Sequence, residues 1–165
     1  MSVVLVRVDD RLLHGQVLIA WGNALDVERY LVVDDALAAS AFERTLVESC
    51  GGGTPVEIVG LAEGAGRLLA LDQRSENVIV LVRSLPQAHA LVRAVRAAGG
   101  RLDQVNLGGA HHATGKERVH DYVYVDAADR AALAALHELG VRVSVQDVPV
   151  ATPFDAPASW GARVA

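Results

Sequence analysis

Short β-branched runs recur along the chain with Ala- and Leu-rich stretches of helical period between them, and this alternation narrows the choice of folds more than any other feature. The runs are Val3–Val8, Tyr30–Val33, Val56–Val59, Val78–Val82, Gln104–Leu107, Tyr122–Val125 and Val141–Val145. Between most of them lie His14–Leu25, Ala36–Ser49, Ala62–Leu71, Gln87–Ala98 and Ala127–Leu139, whose apolar residues return every three or four positions. Runs that are apolar on both faces, joined by segments long enough to hold a helix, favour a mainly parallel sheet covered on both sides. The expected fold class is α/β: a single-domain, three-layer α/β/α arrangement with an open, mainly parallel sheet of about seven strands and helices on both faces.

At 165 residues the chain suffices for one full core and is short for two, so residues 1–165 are expected to form one domain. Gly51-Gly52-Gly53, Gly99-Gly100 and Gly140 fall where helices should stop. The tail 149–165 carries Pro149, Pro153 and Pro157 before Trp160, and is expected to leave the sheet and pack peripherally, over its surface or against a second subunit. A formal net charge of -5, with no basic stripe interleaved with aromatics, argues against a nucleic-acid partner. Cys50 is the only cysteine, so neither an internal disulfide nor a CxxC pair is possible, and a cytoplasmic location fits. No apolar stretch reaches the roughly 18 residues of a membrane span. The N-terminus lacks a signal-peptide pattern. Contact with a membrane would therefore run through a partner.

In open parallel sheets ligands bind beyond the carboxyl ends of the strands, near the point where strand order reverses. The first run ends in Asp9, Asp10, Arg11 and His14; the second in Asp34 and Asp35; the fourth in Arg83 and Ser84. The fifth ends in Asn106-Leu107-Gly108-Gly109, followed by His111, His112, Thr114 and Lys116. His14 is the leading candidate for a reactive group. A neutral imidazole has one nitrogen free to attack phosphorus while a partner holds the other and fixes the tautomer, and Asp9 or Asp10 is the candidate partner. Arg11 offers a planar fork of donors for phosphoryl oxygens, and the amides near Gly15 and Gln16, opening the next helix, would add positive potential. Plainer readings stand beside these: Asp10 as a helix N-cap, Arg11 in an ordinary surface ion pair, and His14 as a structural histidine.

NLGGAHHATGK, residues 106–116, has the character of a glycine-rich anion loop without the GxxxxGK[ST] spacing of a P-loop. Gly108, Gly109 and Lys116 are its candidate phosphoryl contacts, and its glycines and amides, more than its imidazoles, are expected to contribute. The plain alternative is a flexible turn. His111 and His112 are adjacent and would point opposite ways on a strand, so joint metal binding would need a bend and carboxylates from elsewhere; no metal or cofactor is expected. His89, His120 and His137 read as surface or packing residues.

RVDDRLLHGQVLIAW, residues 7–21, strongly resembles the phosphorylation-site segment of the IIB components of the mannose/fructose/sorbose class of the bacterial phosphoenolpyruvate-dependent sugar phosphotransferase system. LVVDDALAAS, NLGGAHHATGK and YVYVDAADRAALAALHELGVRVSVQDVP extend the likeness over most of the chain. The resemblance implies that His14 accepts a phosphoryl group through Nδ1 from a phosphohistidine on a IIA protein. It implies passage of that group to a sugar bound in membrane IIC/IID components, with Arg11 steadying it and Asp9 and Asp10 orienting and capping. A cytoplasmic protein associated with the inner membrane through its partners follows, and a homo-oligomer stays open. Phosphoryl transfer spreads charge over three equatorial oxygens, so alignment and cationic stabilisation would suffice without a metal, and His14 should lie on a fairly flat, accessible surface. Two other functions stay open at this point: a regulatory protein phosphorylated on His14 that moves no sugar, and a metal-dependent hydrolase built on His111 and His112.

Overall fold

The computed structural model describes residues 2–161. β1 (Val3–Asp9) runs into a loop, a π-helix over Gln16–Trp21 and one α-turn, α1 (Gly22–Ala24). There follow β2 (Arg29–Val33), α2 (Asp35–Ala39), α3 (Ala41–Ser49), β3 (Val56–Val59), α4 (Leu61–Asp72), β4 (Val78–Val82), α5 (Leu85–Ala97) and β5 (Gln104–Gly109). The chain then forms a hairpin of β6 (Glu117–His120) and β7 (Val123–Val125), α6 (Ala127–Glu138), β8 (Arg142–Val145), β9 (Phe154–Asp155) and a short 3-10 turn at Ala158–Trp160.

The main sheet has the order β3-β2-β4-β1-β5-β8-β9, parallel throughout except for the β8–β9 pair. Alternate residues of β1, β2, β3 and β4 serve two cores, as a side-chain period of two requires, while β5 and β8 add apolar side chains to one of them. Val78, Val80 and Val82 of β4 and Leu31 and Val33 of β2 pack with Leu68, Leu91 and Leu133 of α4, α5 and α6. Ile79, Leu81, Tyr30 and Val32 face the other way, onto Leu12, Leu13, Val17, Trp21 and Leu37. Helices therefore cover both faces, and the expected three-layer α/β/α architecture holds.

Four sequence expectations change in detail. Tyr122–Val125 does not enter the main sheet, because β7 pairs with β6, a strand with no apolar run to announce it. The seventh place is taken by β9 of the tail, which lines the open edge of β8 instead of leaving the sheet. The stretch Ala36–Ser49 is two helices, broken at the extended Ser40 (φ -102°, ψ 102°), whose hydroxyl accepts from the Glu43 amide and caps α3. Finally, the helix after β1 starts only at Gln16 and is a π-helix, a rare form often found next to functional residues.

Candidate active site

β1 lies near the middle of the sheet, between β4 and β5, so its carboxyl end opens at the point where the chain changes direction across the sheet. Val6 and Val8 point into the α4–α6 core, which turns Arg7 and Asp9 to the opposite face. Both are fully buried there. The Arg7 guanidinium donates to Asp9 Oδ2 (2.8 Å), to Asn106 Oδ1 (2.9 Å) and to the Gln146 carbonyl (3.1 Å), and lies 5.5 Å from the ring centre of Trp21. A buried carboxylate needs such partners to stay charged. Burial acts to raise the Asp9 carboxyl, but the His14 hydrogen bond and Arg7 outweigh it and hold it below the usual carboxylate value.

The loop after Asp9 is shaped by its two leucines. Leu12 and Leu13 are buried in the second core, and Leu12 takes a left-handed backbone (φ 54°) to get there. Such a conformation in a non-glycine residue costs about 1–3 kcal/mol and persists where packing overdetermines it. With the leucines turned inward, Arg11 and His14 are left at the surface. The His14 side chain is 18% exposed and its Nε2 stands 3.0 Å from Asp9 Oδ2. Facing an ionised carboxylate, Nε2 carries the hydrogen and donates it, so the lone pair of the neutral ring resides on Nδ1. Among the described residues nothing hydrogen-bonds to Nδ1. Asp9, not Asp10, is thus the carboxylate against His14.

Arg11 is about half exposed; its amide donates to Asp9 Oδ1 (3.1 Å), its Nε approaches the same oxygen (3.4 Å) and its terminal nitrogen donates to Gln16 Oε1 (3.2 Å). Gly15 precedes the π-helix with open space where a side chain would stand. Asp10 caps no helix. Its carboxylate accepts from the His111 amide (2.7 Å) and lies 2.7 Å from His111 Nδ1, while its carbonyl accepts from Arg83 (3.1 Å). Arg83 in turn pairs with the buried Asp34, which caps α2.

The glycines of NLGGAHHATGK are not an open anion loop. β5 runs through Gly109, so both are strand residues. Gly108 leaves room for the Arg7 guanidinium and Gly109 stands against the Asp9 carboxylate and the His111 ring. Lys116 is drawn away to an ion pair with Asp129 (2.6 Å), in the capping box that opens α6. The His112 and Tyr124 rings pack at right angles, centroids 5.4 Å apart. Among the described residues no three His, Cys, Asp or Glu side chains gather as metal ligands, and no helix is long and apolar enough to cross a membrane. A cavity of about 570 Å³, lined by Val3, Leu5, Leu102 and Gln104, opens at the other, amino-terminal end of the strands; His14 is not part of it.

Sequence reasoning missed Arg7, named Asn106 at the end of the fifth run without giving it a role, and passed over His111 as a partner of Asp10. A signal for Arg7 was available: it is the only charged residue inside the apolar run Val3–Val8, two positions from Asp9 and so on the same strand face. Asn106 has the same relation to Gly108 in β5. Nothing local marks His111.

Comparison with known proteins places this geometry in context. The family model described as PTS system sorbose subfamily IIB component matches residues 3–159. The N-acetylgalactosamine-specific phosphotransferase enzyme IIB component 1 of Escherichia coli is 30% identical over 154 residues, covering 90% of this chain and 92% of that protein. The mannose-specific EIIAB component of E. coli is 31% identical over 149 residues, 90% of this chain but 45% of that protein. The IIBSor domain of the sorbose permease from Klebsiella pneumoniae superposes with a TM-score of 0.82 at 26% identity, covering 94% of this chain and 93% of the other.

Proposed function

The chain belongs to the sorbose subfamily of IIB components of the sugar phosphotransferase system, and from that membership we propose that it carries a phosphoryl group on His14. The donor is a phosphohistidine of a IIA protein, and the mannose-specific EIIAB relative, whose name joins A and B components, supports that pairing. The acceptor is a hydroxyl of a sugar held by IIC/IID membrane components, so residues 1–165 work as one IIB domain on the cytoplasmic side of the membrane.

The observation that carries this reading is the His14 ring, fixed through Nε2 on the buried Asp9 carboxylate. Nδ1 attacks phosphorus, its new P–N bond forms as the donor's P–N bond breaks, and the proton stays on Nε2. The positive charge that develops on the ring is offset by Asp9, itself anchored by Arg7. Arg11 is the cation nearest in sequence to His14; its Nε stays beside Asp9 while its half-exposed terminal nitrogen turns from Gln16 to phosphoryl oxygens. The Asp10 carboxylate is engaged by His111 and not by His14.

The test is phosphate incorporation from a histidine-phosphorylated IIA domain. Wild-type protein should form an acid-labile, alkali-stable adduct, as a phosphoramidate does, and His14→Ala should form none while keeping its circular dichroism. Full labelling of His14→Ala would refute the assignment.

A further inference from the structure

Two Asp–His pairs stand side by side at the end of β1. Asp9 holds His14 through Nε2, and Asp10 holds His111 through Nδ1. Gly109 is the spacer between them: a Cβ there would lie 3.0 Å from His111 Cε1 and 3.3 Å from both Asp9 carboxylate oxygens. The second pair uses the whole Asp10 carboxylate, since the His111 amide engages Oδ2 and its ring engages Oδ1, each at 2.7 Å. The Asp10 backbone is held as well, its amide donating to the Gly109 carbonyl and its carbonyl accepting from Arg83. His112, one position on, packs against Tyr124 and takes no part.

Asp10 lies four positions from the proposed phosphoryl acceptor and, unlike Asp9, makes no hydrogen bond to it. A carboxylate free to swing toward the reacting centre would repel the incoming phosphoryl oxygens and compete with them for Arg11. We propose that His111 is a positioning residue for phosphoryl transfer: by occupying both oxygens of Asp10 it keeps that carboxylate turned to β5 and away from His14 and Arg11. This rests on the reading of His14 as the acceptor. His111 forms no bond to phosphorus and moves no proton in the step; it acts only through Asp10.

The experiment measures the single-turnover rate of transfer from a histidine-phosphorylated IIA domain to His14, by rapid quench, with thermal unfolding as the folding control. Wild type and His14→Ala come first: an unlabelled wild type, or a labelled His14→Ala, overturns the reading of His14 and the proposal with it. With that settled, His111→Ala should slow transfer by about tenfold, in line with the sensitivity of aligned reactions to small displacements. His111→Asn, whose amide nitrogen takes the place of Nδ1, should stay within about threefold of wild type. His112→Ala should match wild type.

The deciding variant is His111→Ala combined with Asp10→Asn. If His111 serves to restrain a carboxylate, removing that charge should restore most of the lost rate, a coupling that a simple brace of the loop would not give. Should His111→Ala fail to fold, His111→Leu keeps the bulk without the donor and takes its place in the same comparison. Wild-type rates in the single variant, or a double variant no faster than the single, would overturn the proposal.

Discussion

Gly108 and Arg7 occupy one another's space: a Cβ on Gly108 would stand 1.8 Å from the Arg7 guanidinium carbon. Arg7 is fully buried and held by Asp9, Asn106 and the Gln146 carbonyl, so it cannot yield as a loose surface arginine would. Gly108→Ala should therefore dislodge the guanidinium, at a cost of roughly 1–3 kcal/mol for the overpacking. It should also slow phosphorylation of His14 by releasing Asp9. Urea unfolding together with the labelling assay checks both, and unaltered stability would show that Arg7 has another place to go.

Arg11 separates charge from geometry. Lysine at this position keeps the positive charge and loses the planar fork. If the fork grips the transferring group, Arg11→Lys should fold normally and transfer phosphate more slowly on the order of 10²–10³-fold, the loss of one transition-state contact. Rapid-quench rates for both half-reactions, with circular dichroism as control, provide the measurement. Near-wild-type rates would leave Arg11 as an ion-pair partner of Asp9.

Asp34 links the site to acid stability. Burial works to raise its carboxyl, but Arg83, the Leu37 amide and Gln87 together pull it below the ordinary value. A carboxyl depressed on folding lends stability that is complete above its unfolded value, about 3.9, and is lost as pH falls through the lower folded value. Asp9 is depressed in the same direction. Asp34→Asn should thus lower the melting temperature at pH 7, and the gap from wild type should narrow as pH falls below about 3.9. Melting curves between pH 7 and pH 2 test this, and a gap that stays constant would remove Asp34 from the acid transition.

By itself the sequence determined the features that depend on near neighbours. The alternation of β-branched runs with helical period fixes an α/β sheet with both faces covered, because side-chain direction repeats every two residues in a strand and every 3.6 in a helix. The order Asp9, Asp10, Arg11, His14 after the first run is likewise local, and family likeness was legible in it. Only the tertiary structure decided which partners those residues take. Arg7 meets Asn106 across 99 positions and Asp10 meets His111 across 101. Both contacts exist because β5 is laid beside β1 in the register Arg7 to Asn106 and Asp9 to Gly109. Strand order and register are settled by the packing of whole faces, not by the residues that later touch. The same holds for β9, two residues of a proline-rich tail that become strand because β8 has an open edge to fill, and for Lys116, whose charge goes to Asp129 at the start of α6.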